Sequence, residues 1–266
     1  MLKLVLEIIG WLPIKFILIP AFVFQASSLC HSLLHHTNER HLKYLIDKLI
    51  MNKPILIYCY DAYCGWCYGF SPVIKKIAEQ YKNDFEIEVL SGGMIVGELV
   101  QPIEKIAGYI QEAYKRIEEL TGIKFGEDFL WHINNADQSD WKMNSEKPAI
   151  ALCVFKEFYP ERQLEFATDL QYALNYEGRD LDDDETYRYL LEKYGVHPEA
   201  FFSKLHSDEF KEQAYYEFDL CKQLKVTGFP YVFLQINETK FYMLAKGFTD
   251  YETLNNRIQN ILKELV

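Results

Sequence analysis

The chain lacks an uncharged apolar run long enough to cross a bilayer. The longest, Phe16 to Cys30, is 15 residues, and a spanning helix needs roughly 20. Clustered positive charge is missing too. There are 28 Lys and Arg against 39 Asp and Glu, a net charge of −11. Phosphate recognition needs concentrated Lys and Arg, so nucleic acid is not an expected partner. Metal-ligand spacing is also absent. His31 and His35 lie one helical turn apart with no acidic or Cys partner at ligand spacing, His132, His197 and His206 stand alone, and Cys153 and Cys221 are far apart in sequence. No metal or other cofactor is expected. No internal repeat or low-complexity tract is visible. What is present is a 49% hydrophobic, 25% charged chain of 266 residues, which can build a sizeable core.

Composition shifts near Met51. Residues 1–50 carry five Lys/Arg and three Asp/Glu, a net of +2, which leaves −13 for the other 216. This apolar, basic N-terminal extension has three readings. It is a signal or membrane anchor within residues 1–30, with Ala26-Ser27-Ser28 as a small-residue cleavage site. It lies outside the working protein, with a start at Met51-Asn52-Lys53-Pro54. Or it is a structural helix, kinked at Pro13 and Pro20. A membrane is a partner only on the anchor reading.

Beyond Met51, hydrophobic periodicity predicts a strand at Pro54 to Tyr60, a helix from Cys67 to Tyr81 and a strand at Phe85 to Leu90. A helical block follows from about 100 to 225. Its segments are Ile103–Leu120, ending at Gly122, Pro148–Phe158 with Ser145 as N-cap, Leu164–Tyr176, Glu185–Tyr194 and Phe210–Leu224. Tyr231–Ile236 and Lys240–Ala245 form a hairpin, and Asp250 caps a last helix, Tyr251–Leu265. A helix between the first two strands makes a parallel crossover, and the hairpin adds antiparallel strands. The result is an α/β chain: a mixed sheet flanked by helices, with residues 51–99 and 226–266 as one domain and 100–225 as an all-helical insertion.

Cys64 and Cys67 stand just after a strand, at the start of a helix. The helix N-terminus offers unpaired N–H groups and a positive dipole end that stabilise a thiolate at Cys64. Cys67 lies one turn inward. It can attack a mixed disulfide held on Cys64 and release the partner. Cys64 is therefore the nucleophile and Cys67 the resolving thiol. The competing readings are half of a zinc site, which lacks its second pair of ligands, and two inert core cysteines.

Three segments carry a family resemblance. They are Tyr60-Asp61-Ala62-Tyr63-Cys64-Gly65-Trp66-Cys67-Tyr68-Gly69-Phe70-Ser71-Pro72, then Ser91-Gly92-Gly93-Met94, then Val226-Thr227-Gly228-Phe229-Pro230. From residue 54 to about 262 the sequence resembles the DsbA-like branch of the thioredoxin superfamily, whose fold carries a helical insertion, and within it the predicted bacterial protein-disulfide isomerases. The resemblance implies a cis-proline at Pro230 facing the cysteines, with residue 229 offering backbone groups to a peptide that pairs as an added strand. It places Pro72 where thioredoxins kink this helix.

The chain departs from the family at two positions. Where thioredoxins carry a buried acid six residues before the nucleophile, it has Tyr58. Asp61 is the nearest substitute as proton relay, or it caps the turn. Where strongly oxidising DsbA proteins have His between the cysteines, it has Trp66, so the pair should be less oxidising. Trp66, Tyr68 and Phe229 are candidates for an apolar rim that accepts unfolded peptide.

The implied activity is thiol–disulfide oxidoreductase or isomerase action on protein or peptide disulfides, exchanging electrons with a dithiol reductant or oxidant. The alternative is a DsbA-like adaptor that binds a regulator for proteolysis without thiol turnover. A glutathione-dependent small-molecule isomerase also uses this fold, but usually has Ser at the Cys64 position. Of the five cysteines in residues 51–266, Cys59, Cys153 and Cys221 are left over after the active pair, an odd number that argues against a disulfide framework and for a cytoplasmic location. The alternative location is exported or membrane-anchored through residues 1–30.

Overall fold

The structure, a computed structural model, describes residues 53–264. The N-terminal extension, with its signal, anchor and His31/His35 readings, lies outside the described residues. Within them, no helix is long and apolar enough to cross a membrane, and no three His, Cys, Asp or Glu side chains converge as metal ligands.

Four strands form the central sheet: β1 (Ile55–Tyr60), β2 (Glu86–Ser91), β5 (Tyr231–Gln235) and β6 (Phe241–Lys246). Their order is β2-β1-β5-β6. β1 pairs parallel with β2, with Tyr58 opposite Val89, because helix α1 (Gly65–Gln80) carries the chain back across the sheet between them. β5 pairs antiparallel with both β1 and β6. Helix α9 (Tyr251–Glu264) closes the chain, and the Asp250 carboxylate takes the Thr253 N–H at 2.9 Å as its cap.

Between β2 and β5 run seven helices: α2 (Ala107–Thr121), α3 (Glu127–Asn134), α4 (Glu146–Phe158), α5 (Gln163–Asn175), α6 (Asp184–Tyr194), α7 (Pro198–Leu205) and α8 (Asp208–Gln223). The stretch is not wholly helical. Gln101–Pro102 (β3) and Lys142–Met143 (β4) form a short antiparallel ladder. Ile103–Lys105 is a separate 3₁₀ turn, so the long amphipathic run read from Ile103 yields an α-helix only from Ala107. The helical block shares its core with the sheet, since one apolar cluster includes Leu56 and Tyr58 of β1 together with Leu170 of α5 and Phe201 of α7.

Three side chains from that block satisfy the open edge of β2. The Gln163 amide accepts from Val89 N–H and donates to the Ile87 carbonyl, both at 2.8 Å. Glu217 accepts from Ser91 N–H at 2.9 Å. Lys156 donates to the Val89 carbonyl and to Glu88 and Glu217, each carboxylate at 2.7 Å. An edge strand so occupied cannot recruit another chain. Burial works against the Lys156 charge, but Glu217 and Glu88 outweigh it and hold the ammonium above its ordinary range. Lys156→Met is therefore expected to destabilise the fold by about 3 kcal/mol or more, because it leaves a buried carboxylate unpaired. Urea unfolding followed by circular dichroism measures the loss.

Candidate active site

β1 ends at Tyr60, and the chain turns through Asp61-Ala62-Tyr63 into α1. The turn is fastened by Asp61. Its carboxylate accepts from the N–H of Tyr63 (3.0 Å), the N–H of Met94 (2.8 Å) and the Ser145 hydroxyl (2.8 Å). Its carbonyl accepts from Cys64 N–H at 3.1 Å and from the Gln171 amide at 3.3 Å. Of the two roles read for Asp61, the turn anchor is the one these contacts describe. Burial pushes its carboxyl up, and the three donors pull it down in part.

Cys64 is the N-cap of α1. It has extended backbone angles, and the N–H groups of Cys67 and Tyr68 point at its carbonyl. The first turn holds no acidic residue, so no residue of the helix itself offsets the positive end of the dipole beneath the sulfur. The Cys64 thiol lies 3.6 Å from the Phe229 carbonyl, to which it donates. The Phe229–Pro230 peptide bond is cis. Cys64 is 7% exposed and Cys67 is fully buried. Burial pushes the Cys67 thiol well above its ordinary range; Cys64 adds to the rise, and a backbone hydrogen bond from Asp61 works against it.

Among the close approaches that need glycine, two shape this site. A Cβ on Gly69 would meet Ile117 at 2.8 Å and Thr121 at 3.0 Å, so Gly69 lets α1 lie directly on α2. A Cβ on Gly92 would sit 1.8 Å from the Phe229 ring. The Ser91-Gly92-Gly93-Met94 segment therefore makes room for the aromatic ring that precedes Pro230, and the Met94 N–H holds Asp61.

The structure thus brings together Cys64, Cys67, Asp61, Phe229 and Pro230. Trp66 is half-buried against Phe248, with ring centroids 6.4 Å apart. Phe229 is also half-buried. Tyr68 corrects the rim expectation: it is only 2% exposed, donates to the Lys124 carbonyl at 2.9 Å and packs edge-on against Phe125, with ring centroids 5.2 Å apart. Its side chain is part of the packing between α1 and α2–α3 and does not reach the rim. Beside Cys64 is a hollow of about 120 Å³ lined mainly by apolar side chains, among them Trp66, Met94, Ile110, Tyr114 and Phe125.

Sequence reasoning missed Ser145 and Gln171 as holders of the Asp61 turn. Ser145 does occupy the N-cap position of α4, but its hydroxyl makes no cap bond and reaches Asp61 instead. No local signal marks such a partner 84 residues away. Gly92, the seat of the Phe229 ring, was visible only as a break after a strand.

Solved structures that share this fold include the following three. A candidate protein disulfide isomerase from Nitrosomonas europaea is 23% identical with a TM-score of 0.71, over 80% of this chain and 99% of that one. The cytosolic disulfide reductase DsbM from Pseudomonas aeruginosa is 23% identical with a TM-score of 0.66, over 79% and 98%. A 2-hydroxychromene-2-carboxylate isomerase is 14% identical with a TM-score of 0.55, over 79% and 97%. No curated protein matches in sequence. The family model of the DSBA-like thioredoxin domain matches residues 55–259, from the first residue of β1 into α9. With that match laid over the mixed sheet, the helical block and the paired thiols, the chain belongs to the DSBA-like thioredoxin domain family of thiol–disulfide oxidoreductases.

Proposed function

We propose that this chain reduces or isomerises protein disulfides in the cytoplasm through Cys64 and Cys67. The observation that carries the reading is the unequal burial of two thiols one helical turn apart. Cys64 reaches the surface at the helix N-terminus, and Cys67 is sealed behind it. The Cys64 thiolate attacks a substrate disulfide. One substrate sulfur leaves as a thiolate, and the other stays bound to Cys64. Cys67 then loses its proton and attacks Cys64 Sγ. The second substrate sulfur departs and takes up a proton, leaving a Cys64–Cys67 disulfide that an external dithiol returns to the reduced state.

A substrate peptide laid along residue 229 pairs as an added strand, with the Phe229 carbonyl beside the reacting sulfur. The hollow next to Cys64 suits an apolar residue flanking the substrate cysteine. What surrounds Cys64 bears on the direction of electron flow. Neither Gly65 nor Trp66 brings a cationic side chain to a thiolate, which supports a reducing rather than a strongly oxidising pair. The cytoplasmic assignment draws support from Cys59, Cys153 and Cys221, which are free and buried, and from the fold shared with a protein described as a cytosolic disulfide reductase.

Equilibration of the Cys64–Cys67 pair against glutathione buffers tests the proposal. The expected reduction potential lies between about −180 and −270 mV, the range from protein disulfide isomerase to thioredoxin. A potential near about −120 mV would make the chain an oxidase. Failure to form the disulfide at any poise would favour the adaptor.

A further inference from the structure

Strand alternation turns Tyr58 and Tyr60 of β1 to the face that α1 covers. The Tyr58 ring lies 5.6 Å from the Tyr60 ring and 5.9 Å from that of Phe70, between centroids. Tyr58 is fully buried. Its hydroxyl has no hydrogen-bond partner among the described residues, yet it lies against the sulfur of Cys67. A buried hydroxyl left unpaired is costly, and phenylalanine would fill the same space without that cost. In the resting dithiol, then, this oxygen makes no well-formed hydrogen bond.

The resolving step changes its surroundings. Cys67 must shed its proton inside the protein, where a bare thiolate is disfavoured. The groups facing that sulfur are few. Cys64 is neutral while it carries the substrate. The Asp61 carboxylate already accepts from three donors and would repel a thiolate. The Tyr60 hydroxyl is also unpartnered, but the carboxylates of Asp61 and Glu217 act on it more strongly than Cys67 does, and it sits beside Ser91. The Asp61 backbone already gives the Cys67 sulfur one hydrogen bond, and Tyr58 is the unpartnered side-chain donor that lies against it. Burial, then the charges of Cys67 and Cys64, hold its phenol well above the ordinary range. It therefore keeps its proton and acts only by donating, never as a base.

We propose that the Tyr58 hydroxyl is held in reserve for the resolving step, donating a hydrogen bond to the Cys67 sulfur as it becomes a thiolate and attacks the mixed disulfide on Cys64. The step is balanced as disulfide exchange. The Cys67–Cys64 bond forms, the Cys64–substrate bond breaks, and the proton lost by Cys67 ends on the departing substrate thiol. Tyr58 changes neither protonation nor oxidation state. A bond to a charged acceptor is stronger than one to a neutral acceptor, so the hydroxyl favours the thiolate over the thiol.

This inference rests on the assignment of Cys67 as resolving thiol, and the test separates the two. The reduced protein is mixed with Ellman's reagent in a stopped-flow instrument. Release of the first thionitrobenzoate reports attack by Cys64, and release of the second reports closure by Cys67. For Tyr58→Phe the first phase should match wild type. The second should slow by about tenfold or more at neutral pH, with its pH profile displaced to higher pH. Tyr60→Phe should leave that profile in place.

Closure by Tyr58→Phe at the wild-type rate across the pH range would overturn the proposal and leave the assignment of Cys67 intact. So would a Tyr58→Phe protein less stable than wild type in urea, because the hydroxyl would then be supporting the fold. A wild-type protein that never releases the second thionitrobenzoate would instead remove the assignment of Cys67 itself.

Discussion

Cys67→Ala should convert the protein into a trap. Expressed in cells and run on a non-reducing gel, it is expected to carry protein-sized adducts that disappear on adding reductant. The reason lies in proximity. In the wild type the resolving thiol sits one helical turn from Cys64 and stays within reach, and intramolecular reactions of this kind have effective molarities up to about 10⁵ M or more. With that thiol removed, only external thiols at millimolar concentration can free the substrate. The mixed disulfide should then persist at least about a thousandfold longer. Cys64→Ala should trap nothing, because the remaining sulfur is fully buried and cannot meet a protein disulfide. Adducts on both variants would mean that Cys67 reaches solvent. Adducts on neither, with a partner co-purifying non-covalently with the double cysteine variant, would favour the adaptor reading.

The chemistry was the most legible part of the sequence. A β-branched and aromatic run, two cysteines two apart and an amphipathic helix give strand, nucleophile and helix without tertiary information, and β1 and α1 fall where that pattern puts them. Helix ends marked by glycine were also readable: Gly122 and Gly195 both take left-handed angles, with φ of 75° and 66°. Elements made by tertiary contact were not. β3 and β4 are two residues each, too short for any period to show. α3 and α7 are eight residues each, barely two turns, and they did not stand out from the polar sequence around them.

The misplacement of Tyr68 has a different cause. A surface helix has one buried stripe, and residues off that stripe can be expected at the surface. Helix α1 packs against α2, α5 and α9. Its buried residues accordingly run without a break from Cys67 to Ser71. Periodicity cannot say which of those side chains meets substrate. Asp61 illustrates the same limit. Its position three residues before Cys64 marked it for a role, but the choice between relay and anchor depended on Met94 and Ser145, which only the fold brings to it.

The central claim is that the two thiols are unequal: one with a small exposed edge at a helix N-terminus, the other sealed behind it with burial holding its proton on. Site-resolved alkylation of the reduced native protein measures this directly. Brief iodoacetamide pulses at about pH 6 to 8, followed by peptide mapping, should show label on Cys64 and almost none on Cys67, because only an accessible thiolate reacts. Cys67 should label only once the protein is unfolded in denaturant, with Cys59, Cys153 and Cys221 joining it at that stage, since each is less exposed than Cys64 and none is an N-cap of α1. Equal labelling of Cys64 and Cys67 in the folded protein, or faster labelling of Cys67, would contradict the account.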